Sequence, residues 1–243
     1  MTSRGVTALV SLGIVALATR CSIDDRKVRV RGDCVTPPAG GLVSDFSAAH
    51  PQPCPAGVCP VGLVGTPSVY LPVGDTQGLI FPYRSPGLQV AALTLVSGGS
   101  PPYTGQALRV VMNSGALSST GYDGFALEVV DCLDTSAYSA VTFTTAGNIG
   151  SCRFRFAARF LAGDAGTFSP PCAIDDCSPT DNVSVMATGN TTLTFAGSGN
   201  GGGSAALAGL QWEFETNPVD ASPIGCTADF TIDDIRLLAR ASP

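Results

Sequence analysis

Short runs of alternating apolar and polar residues constrain the fold of this chain more than any other feature. Successive side chains of a β-strand point to opposite faces of the sheet, so such a run has one apolar and one polar face. Glycine, proline, asparagine or serine separates the runs, and no long helical periodicity is present. The runs that predict strands span residues 68–72, 78–82, 107–112, 124–130, 140–145, 152–157, 183–187, 191–195, 207–215 and 228–238.

The composition agrees with a fold made of many short strands. Charged residues form 13% of the chain, and 29 glycines and 18 prolines supply the turns. A length of 243 residues fits one large sandwich better than two domains. We therefore predict an all-β protein, an antiparallel β-sandwich.

The N-terminus predicts export. Arg4 precedes an apolar run from Val6 to Ala18, which is too short to span a bilayer and is typical of a signal peptide. We expect cleavage after Ala18. Cys21 offers another route, a lipid anchor, although Arg20 stands where a lipoprotein signal carries a small residue.

Three segments follow from this pattern. Residues 1–18 are the predicted signal peptide. Residues 19–40 are polar, end in prolines and glycines, and predict a flexible tether. Residues 41–243 form a single predicted domain, and no transmembrane helix is expected.

The cysteines beyond Cys21 are even in number, which is typical of a disulfide framework in an oxidising compartment. Short loops favour the pairs Cys54–Cys59 and Cys172–Cys177. Cys132 and Cys152 flank a candidate hairpin, so their pairing is expected, which leaves Cys34 with Cys226. Spacing alone does not fix this connectivity.

The charge of the chain argues against nucleic acid and anionic membranes as partners. The formal net charge is −6, and Lys27 is the only lysine. A surface with so few cations is poorly suited to neutralise phosphate groups.

Alternation in three runs places polar side chains on an outer face. The apolar sets expected in the core are Phe125, Leu127 and Val129; Phe154 and Phe156; and Leu210, Trp212 and Phe214. The opposite sets contain Glu128, Arg153, Arg155, Gln211, Glu213 and Glu215. If the three strands share a sheet, this is either a solvated face of weak ion pairs or a groove for sugar hydroxyls. Tyr122 and Tyr138 are candidate aromatic platforms beside it, and each has packing as an alternative role.

Several segments together resemble galactose-binding-like jelly-roll carbohydrate-binding modules. They are Gly41–Phe46, Tyr122–Leu127, Cys132–Phe143, Leu210–Phe214 and Phe230–Leu237, which cover about residues 41–238 in order. The resemblance implies a jelly roll and an exported bacterial protein that binds a glycan.

The last run changes phase. Phe230 and Ile232 share one parity, whereas Ile235 and Leu237 share the other, so a β-bulge is expected at Asp233-Asp234. A bulge frees carbonyls and redirects carboxylates, the oxygen ligands that calcium prefers. The resemblance implies a structural calcium ion here, with the candidate ligands Asp45, Asp233 and Asp234; a solvated acidic pair is the alternative.

Enzyme function has less support in the sequence. His50 is the only histidine, is expected in a loop, and has no Gly-x-Ser-x-Gly motif to serve. Glu213 and Glu215, with Glu128 nearby, are the candidate carboxylate pair of a glycosidase.

The sequence thus predicts a secreted or cell-surface, non-catalytic domain that binds an extracellular or cell-wall glycan. Two alternatives stay open. One is a jelly-roll glycoside hydrolase that uses paired glutamates, and the other is a structural or partner-binding surface protein with or without a lipid anchor.

Overall fold

The structure is a computed structural model, and thirteen strands lie within the residues that it describes. Those residues are 34–53, 66–84, 91–97, 105–114, 123–150, 152–160, 182–185, 188–195, 206–215 and 226–241. The strands are β1 (Leu42–Ser44), β2 (His50–Pro53), β3 (Pro67–Val73), β4 (Thr76–Arg84), β5 (Ala92–Ser97), β6 (Gln106–Ser114), β7 (Asp123–Asp134), β8 (Tyr138–Asn148), β9 (Arg153–Phe160), β10 (Asn182–Ser184), β11 (Gly189–Thr194), β12 (Ala206–Glu215) and β13 (Cys226–Ala239). Every predicted run overlaps a strand, whereas β1, β2 and β5 lie outside the predicted runs.

The described strands form two antiparallel sheets. Sheet A has the order β10-β9-β12-β7-β4-β3-β2, and sheet B has the order β11-β8-β13-β6-β5, with β1 also paired to β13. From β6 to β9, consecutive strands alternate between the sheets, which is the winding of a jelly roll. The predicted fold class is confirmed. Within the described ranges, no helix has the length and apolarity needed to cross a membrane.

The core between the sheets consists of the side chains that the alternation assigns to it. Trp212 is fully buried, and its ring centroid lies 5.0 Å from that of Phe125, 5.0 Å from Phe156 and 5.6 Å from Phe143. This cluster joins β7, β9 and β12 of sheet A to β8 of sheet B. Truncation of one such aromatic ring to alanine costs about 3–5 kcal/mol in proteins generally.

A β-bulge interrupts β13 where the sequence predicts it. The pairing of β13 with β8 shifts register between Asp233 and Arg236. Asp234 has a φ of 52°, in the left-handed region. The bulge lets side chains of both parities enter the core, and Phe230, Ile232, Ile235 and Leu237 are all buried.

The disulfides within the described residues differ from the predicted pairs. Cys34 is bonded to Cys132, and Cys152 is bonded to Cys226. The predicted pairs Cys132–Cys152 and Cys34–Cys226 are therefore wrong. The prediction assumed that β7 and β8 form a hairpin. These strands lie in different sheets, so hairpin pairing does not bring Cys132 and Cys152 together. The other four predicted partners, Cys54, Cys59, Cys172 and Cys177, lie outside the described residues.

Two residues of the segment predicted as a tether, Cys34 and Val35, contact β7. Val35 forms a parallel bridge with Leu133 of β7, next to the disulfide between Cys34 and Cys132. These contacts bind the start of the described chain to the end of a central strand. The predicted signal peptide and the earlier part of the tether lie outside the described residues.

Candidate functional site

Polar side chains on three adjacent strands of sheet A share its outer face. Glu213 on β12 lies directly opposite Arg155 on β9, and Gln211 is opposite Ala126 of β7. We call this surface the polar face. Its described members are Arg155 and Arg159 on β9, Gln211 and Glu213 on β12, and Glu128 on β7. The sequence predicts four of these five on one face. Arg159 lies two residues beyond the predicted run 152–157 and shares the parity of Arg155, so alternation also assigns it to this face.

The polar face is partly shielded from water and carries balanced charge. Arg155 is exposed, and the other four side chains are half-buried. Among the described members, two arginines face two glutamates, so their formal charges cancel. Directly opposed residues of neighbouring strands have Cβ atoms about 4.5–5.5 Å apart, so Arg155 offsets the charge of Glu213.

Tyr83 on β4 adds a hydrogen-bonded support to this face. Its hydroxyl donates to the backbone carbonyl of Trp212 at 3.0 Å and accepts from Nε2 of Gln211 at 2.8 Å. The ring crosses β7 at Gly124, where a Cβ atom would lie 2.6 Å from the Tyr83 oxygen and would clash with the Trp212 carbonyl. Desolvation of the hydroxyl, and then the charge of Glu213, raise the pKa of Tyr83 well above its usual value. The hydroxyl therefore keeps its proton at neutral pH.

A small apolar cluster borders the polar face on the side of β4. Leu79, Phe81 and Ala126 are buried, Tyr83 packs against them, and the cluster is separate from the core between the sheets. Since Ile80 of the same strand points into that core, β4 has apolar side chains on both faces. Apolar side chains therefore bound the polar face on the side of β4.

Other predicted site residues do not join the polar face or cannot be placed on it. Tyr138 begins β8 of sheet B, is half-buried and packs against the core, so the structure separates it from the polar face. Arg153 and Glu215 are register partners on β9 and β12. Their side chains, and all of Tyr122, lie outside the described residues.

Glu128 and Glu213 are not spaced as the carboxylates of a glycosidase. Glu213 is opposite Gly124, whereas Glu128 lies four residues further along β7. At about 3.4 Å per residue, this offset is about 14 Å between backbone positions along the strand. Glycosidase carboxylates lie about 5–9.5 Å apart. Of the predicted carboxylate pairs, this leaves Glu213 with Glu215.

His50 lies on a strand and not in a loop as predicted. It begins β2, and its ring centroid is 4.6 Å from that of Tyr70 on β3. Pro51 and Pro53 are tolerated because β2 is an edge of sheet A, where a missing N–H breaks no ladder on the free side. The histidine therefore packs at the sheet edge.

Asp45, Asp233 and Asp234 carry the charges around the bulge. Burial first, and then the charges of Asp234 and Asp45, raise the pKa of Asp233 to about 6. The Ser47 hydroxyl donates to Asp45 at 2.6 Å and lowers the pKa of that carboxyl. Asp234 pairs with Arg236.

The carboxylate oxygens around the bulge are of the type that calcium prefers. However, the described residues contain no group of three or more His, Cys, Asp or Glu side chains that could hold a metal ion. Calcium stays a prediction.

Comparisons with known proteins give similar structures but no similar sequences. No family model matches the chain, and no curated protein matches it. The chain is similar to the family 11 carbohydrate-binding module of the cellulosomal cellulase Lic26A-Cel5E of Clostridium thermocellum, with 13% identity and a TM-score of 0.43 over 68% of this chain and 89% of that one.

Of two further similar structures, one is a binding module and the other is an enzyme domain. One is CBM28, a module specific for non-crystalline cellulose, with 12% identity and a TM-score of 0.38 over 61% of this chain and 82% of that one. The other is the enzymatically active domain of tailspike protein 4 of bacteriophage CBA120, with 8% identity and a TM-score of 0.38 over 66% of this chain and 19% of that one. At these identities the likeness concerns the fold alone.

Proposed function

We propose that this protein is a non-catalytic glycan-binding domain that works outside the cell, and that the polar face binds the glycan. The observation that carries the proposal is the strand register, which gathers planar polar side chains on one outer face. The side chains that we assign to binding are Arg155, Arg159, Gln211, Glu213 and Glu128.

The chemistry of these groups suits sugar hydroxyls. Each hydroxyl can donate and accept a hydrogen bond, arginine offers five N–H donors in a plane, and carboxylates accept. Half-burial restricts four of the five side chains before a ligand arrives, which lowers the entropy cost of ordering them. Only five described side chains are assigned to binding, so we expect modest affinity.

Two features support the non-catalytic and extracellular parts of the proposal. The offset of Glu128 from Glu213 argues against one of the two carboxylate pairs that the sequence offers for hydrolysis of a glycosidic bond, and Glu213 with Glu215 is the other. The disulfides Cys34–Cys132 and Cys152–Cys226 are typical of an oxidising compartment, in agreement with the predicted signal peptide.

Affinity electrophoresis of the full, disulfide-bonded chain in a panel of soluble polysaccharides tests the proposal. We expect R155A and E213Q each to weaken binding about tenfold, because each removes a hydrogen bond to a charged group. R109A is the matched control, since Arg109 is an exposed arginine on the outer face of sheet B, bonded to Asp229 at 2.6 Å. It should bind as well as the wild type.

Three outcomes would contradict the proposal. Equal losses in R109A and R155A would show that the polar face is not the site. Reducing-sugar release that is lost in E213Q would establish a hydrolase. Binding to none of the polysaccharides would favour the structural or partner-binding alternative.

We also propose that calcium binds at the bulge through Asp45 and Asp233, because Asp234, the third candidate ligand, is paired with Arg236. What supports this is the excess of carboxylate over Arg236, the one cation that shifts the pKa of both groups. Calcium should raise the melting temperature of the EDTA-treated wild type at pH 7 and should not raise that of D233N. Equal melting temperatures with and without calcium would remove the ion from the proposal.

A further inference from the structure

The hydrogen bonds of Tyr83 determine how the Gln211 amide is oriented. The single hydroxyl proton of Tyr83 goes to the Trp212 carbonyl, which can only accept. The amide group that meets the Tyr83 oxygen must therefore donate, and Nε2 of Gln211 lies there at 2.8 Å. The same nitrogen is 3.5 Å from Oε2 of Glu213, another acceptor. The amide oxygen Oε1 is thus the atom that Gln211 leaves for a ligand.

We propose that the polar face selects neutral glycans over acidic ones, and that Tyr83 is the positioning residue that turns the acceptor of Gln211 toward the ligand. This inference rests on the proposed function, because it names the class of glycan for the same site. Oε1 of Gln211 and the carboxylates of Glu213 and Glu128 are all acceptors. A sugar hydroxyl can donate to each of them, whereas a uronate or sulfate group offers only acceptor oxygens and a negative charge.

The arginines of the polar face do not reverse this preference. Arg155 lies directly opposite Glu213. Arg159 is opposite Gly209, which is in turn opposite Glu128. The described face therefore has no net formal charge, on a chain whose net charge is −6. An anionic polymer gains no long-range attraction from such a field.

The geometry around Gly124 shows that this arrangement is built into the sheet. The Tyr83 ring can reach across β7 only because Gly124 has no side chain, since a Cβ atom there would lie 2.6 Å from the Tyr83 oxygen. A glycine in a strand interior weakens the strand and marks the close approach of another group. Here the group that approaches is the phenol that orients Gln211.

Dissociation constants of the full chain for two sets of polysaccharides test the selectivity. The neutral set is mixed-linked β-glucan, β-1,4-galactan, mannan and xylan, and the acidic set is polygalacturonate, alginate and heparin. At least one neutral glycan should bind tenfold or more tightly than every acidic one, at low and at physiological salt. Tighter binding of an acidic glycan would overturn the selectivity and leave the proposed function standing. Binding to neither set would overturn both.

Y83F tests the positioning role. Without the hydroxyl, the Gln211 amide can turn its NH₂ group outward and donate to an anion, so the ratio of neutral to acidic affinity should fall about fivefold. Y70F is the matched control, because it removes a phenolic hydroxyl from β3 of the same sheet, and its ratio should not change. An unchanged ratio in Y83F would overturn the role of Tyr83.

A second variant keeps the test informative if Y83F does not fold. Q211M retains Tyr83 and removes the acceptor, so binding of the neutral glycan should fall about fivefold. Binding of an acidic glycan should not fall. Equal losses for both classes in Q211M would mean that Gln211 contributes affinity without selectivity, and would contradict the inference.

Discussion

The outer faces of the two sheets are both polar but use their hydrogen bonds differently. On sheet B, Thr192 donates to the hydroxyl of Thr142 at 3.1 Å, and Thr142 donates to the carbonyl of Thr191 at 2.9 Å. Thr144 donates to the side-chain oxygen of Asn190 at 2.8 Å. These hydroxyls link β8 to β11, and they donate their protons to other groups of the same sheet.

On sheet A the polar groups are arranged around one tyrosine. The Tyr83 hydroxyl donates to the Trp212 carbonyl and accepts from Nε2 of Gln211, which leaves the amide oxygen of Gln211 as an acceptor for a ligand. Half-buried charged groups surround it, in place of threonines. The comparison teaches that polarity alone does not identify a binding face. The proposed site depends on one acceptor, Oε1 of Gln211, that the hydrogen bonds of Tyr83 orient.

The substitution G124A should break the sheet A arrangement with the largest effect. The added methyl group would collide with the Trp212 carbonyl and lie 2.6 Å from the Tyr83 oxygen, so backbone or ring must move. We expect a loss of about 3 kcal/mol in the free energy of unfolding, at the upper end for overpacking, measured by urea denaturation. Glycan binding should fall as well.

G105A is the control for this change. Gly105 precedes β6 of sheet B, and its nearest neighbours to a Cβ atom are the Asp45 carbonyl and Ser47 Cβ, both at 3.8 Å. That is ordinary contact, so the free energy of unfolding should change little. If G124A were as stable as G105A, the close packing of Tyr83 over β7 would be ruled out.

The bulge on sheet B predicts a pH dependence of intermediate size. Asp233 has its pKa raised to about 6 by burial and then by the charges of Asp234 and Asp45. The folded protein then binds this proton more tightly than the unfolded chain, so stability falls as pH rises from about 4 to about 6. The cost is fully present above about pH 6.

D233N should remove that cost. In EDTA at pH 7 we expect a gain of about 1 kcal/mol, discounted for the part of the carboxyl that water still screens, or about 2–4 °C in melting temperature. The gain should vanish near pH 4. Asp45 acts with the opposite sign, because its lowered pKa gives stability that is lost only as pH falls below about 4. A gain in D233N that is the same at pH 4 and pH 7 would contradict this account.

The sequence predicts the core better than it predicts the site, for a physical reason. The burial of Trp212 and Phe154 follows from alternation within a single strand, which is a local property. The disulfide partners of Cys132 and Cys152 depend on which sheet each neighbouring strand joins, and no local pattern encodes that choice.

The role of Tyr83 was hidden for the same reason. Its partners on β12 are more than a hundred residues away in the chain, and its strand shows apolar residues on both faces. Gly124 is a weak local signal, because it stands at the start of the predicted run 124–130, where a glycine is also typical of a turn. The sequence therefore could not indicate which residue crosses β7 there.

The smallest expected effect belongs to T192V on sheet B. Valine keeps the branched shape that suits a strand, and the lost hydrogen bond to Thr142 lies on an exposed residue, where water replaces it. We expect a change of about 0.5 kcal/mol or less in the free energy of unfolding, at the lower limit for one hydrogen bond, and unchanged glycan affinity. Isothermal titration of T192V beside E213Q compares one polar residue from each face under the same conditions. A loss of affinity in T192V that matched the loss in E213Q would place the ligand on the outer face of sheet B. Threonine hydroxyls that are hydrogen-bonded within the sheet can affect binding only if the glycan contacts them.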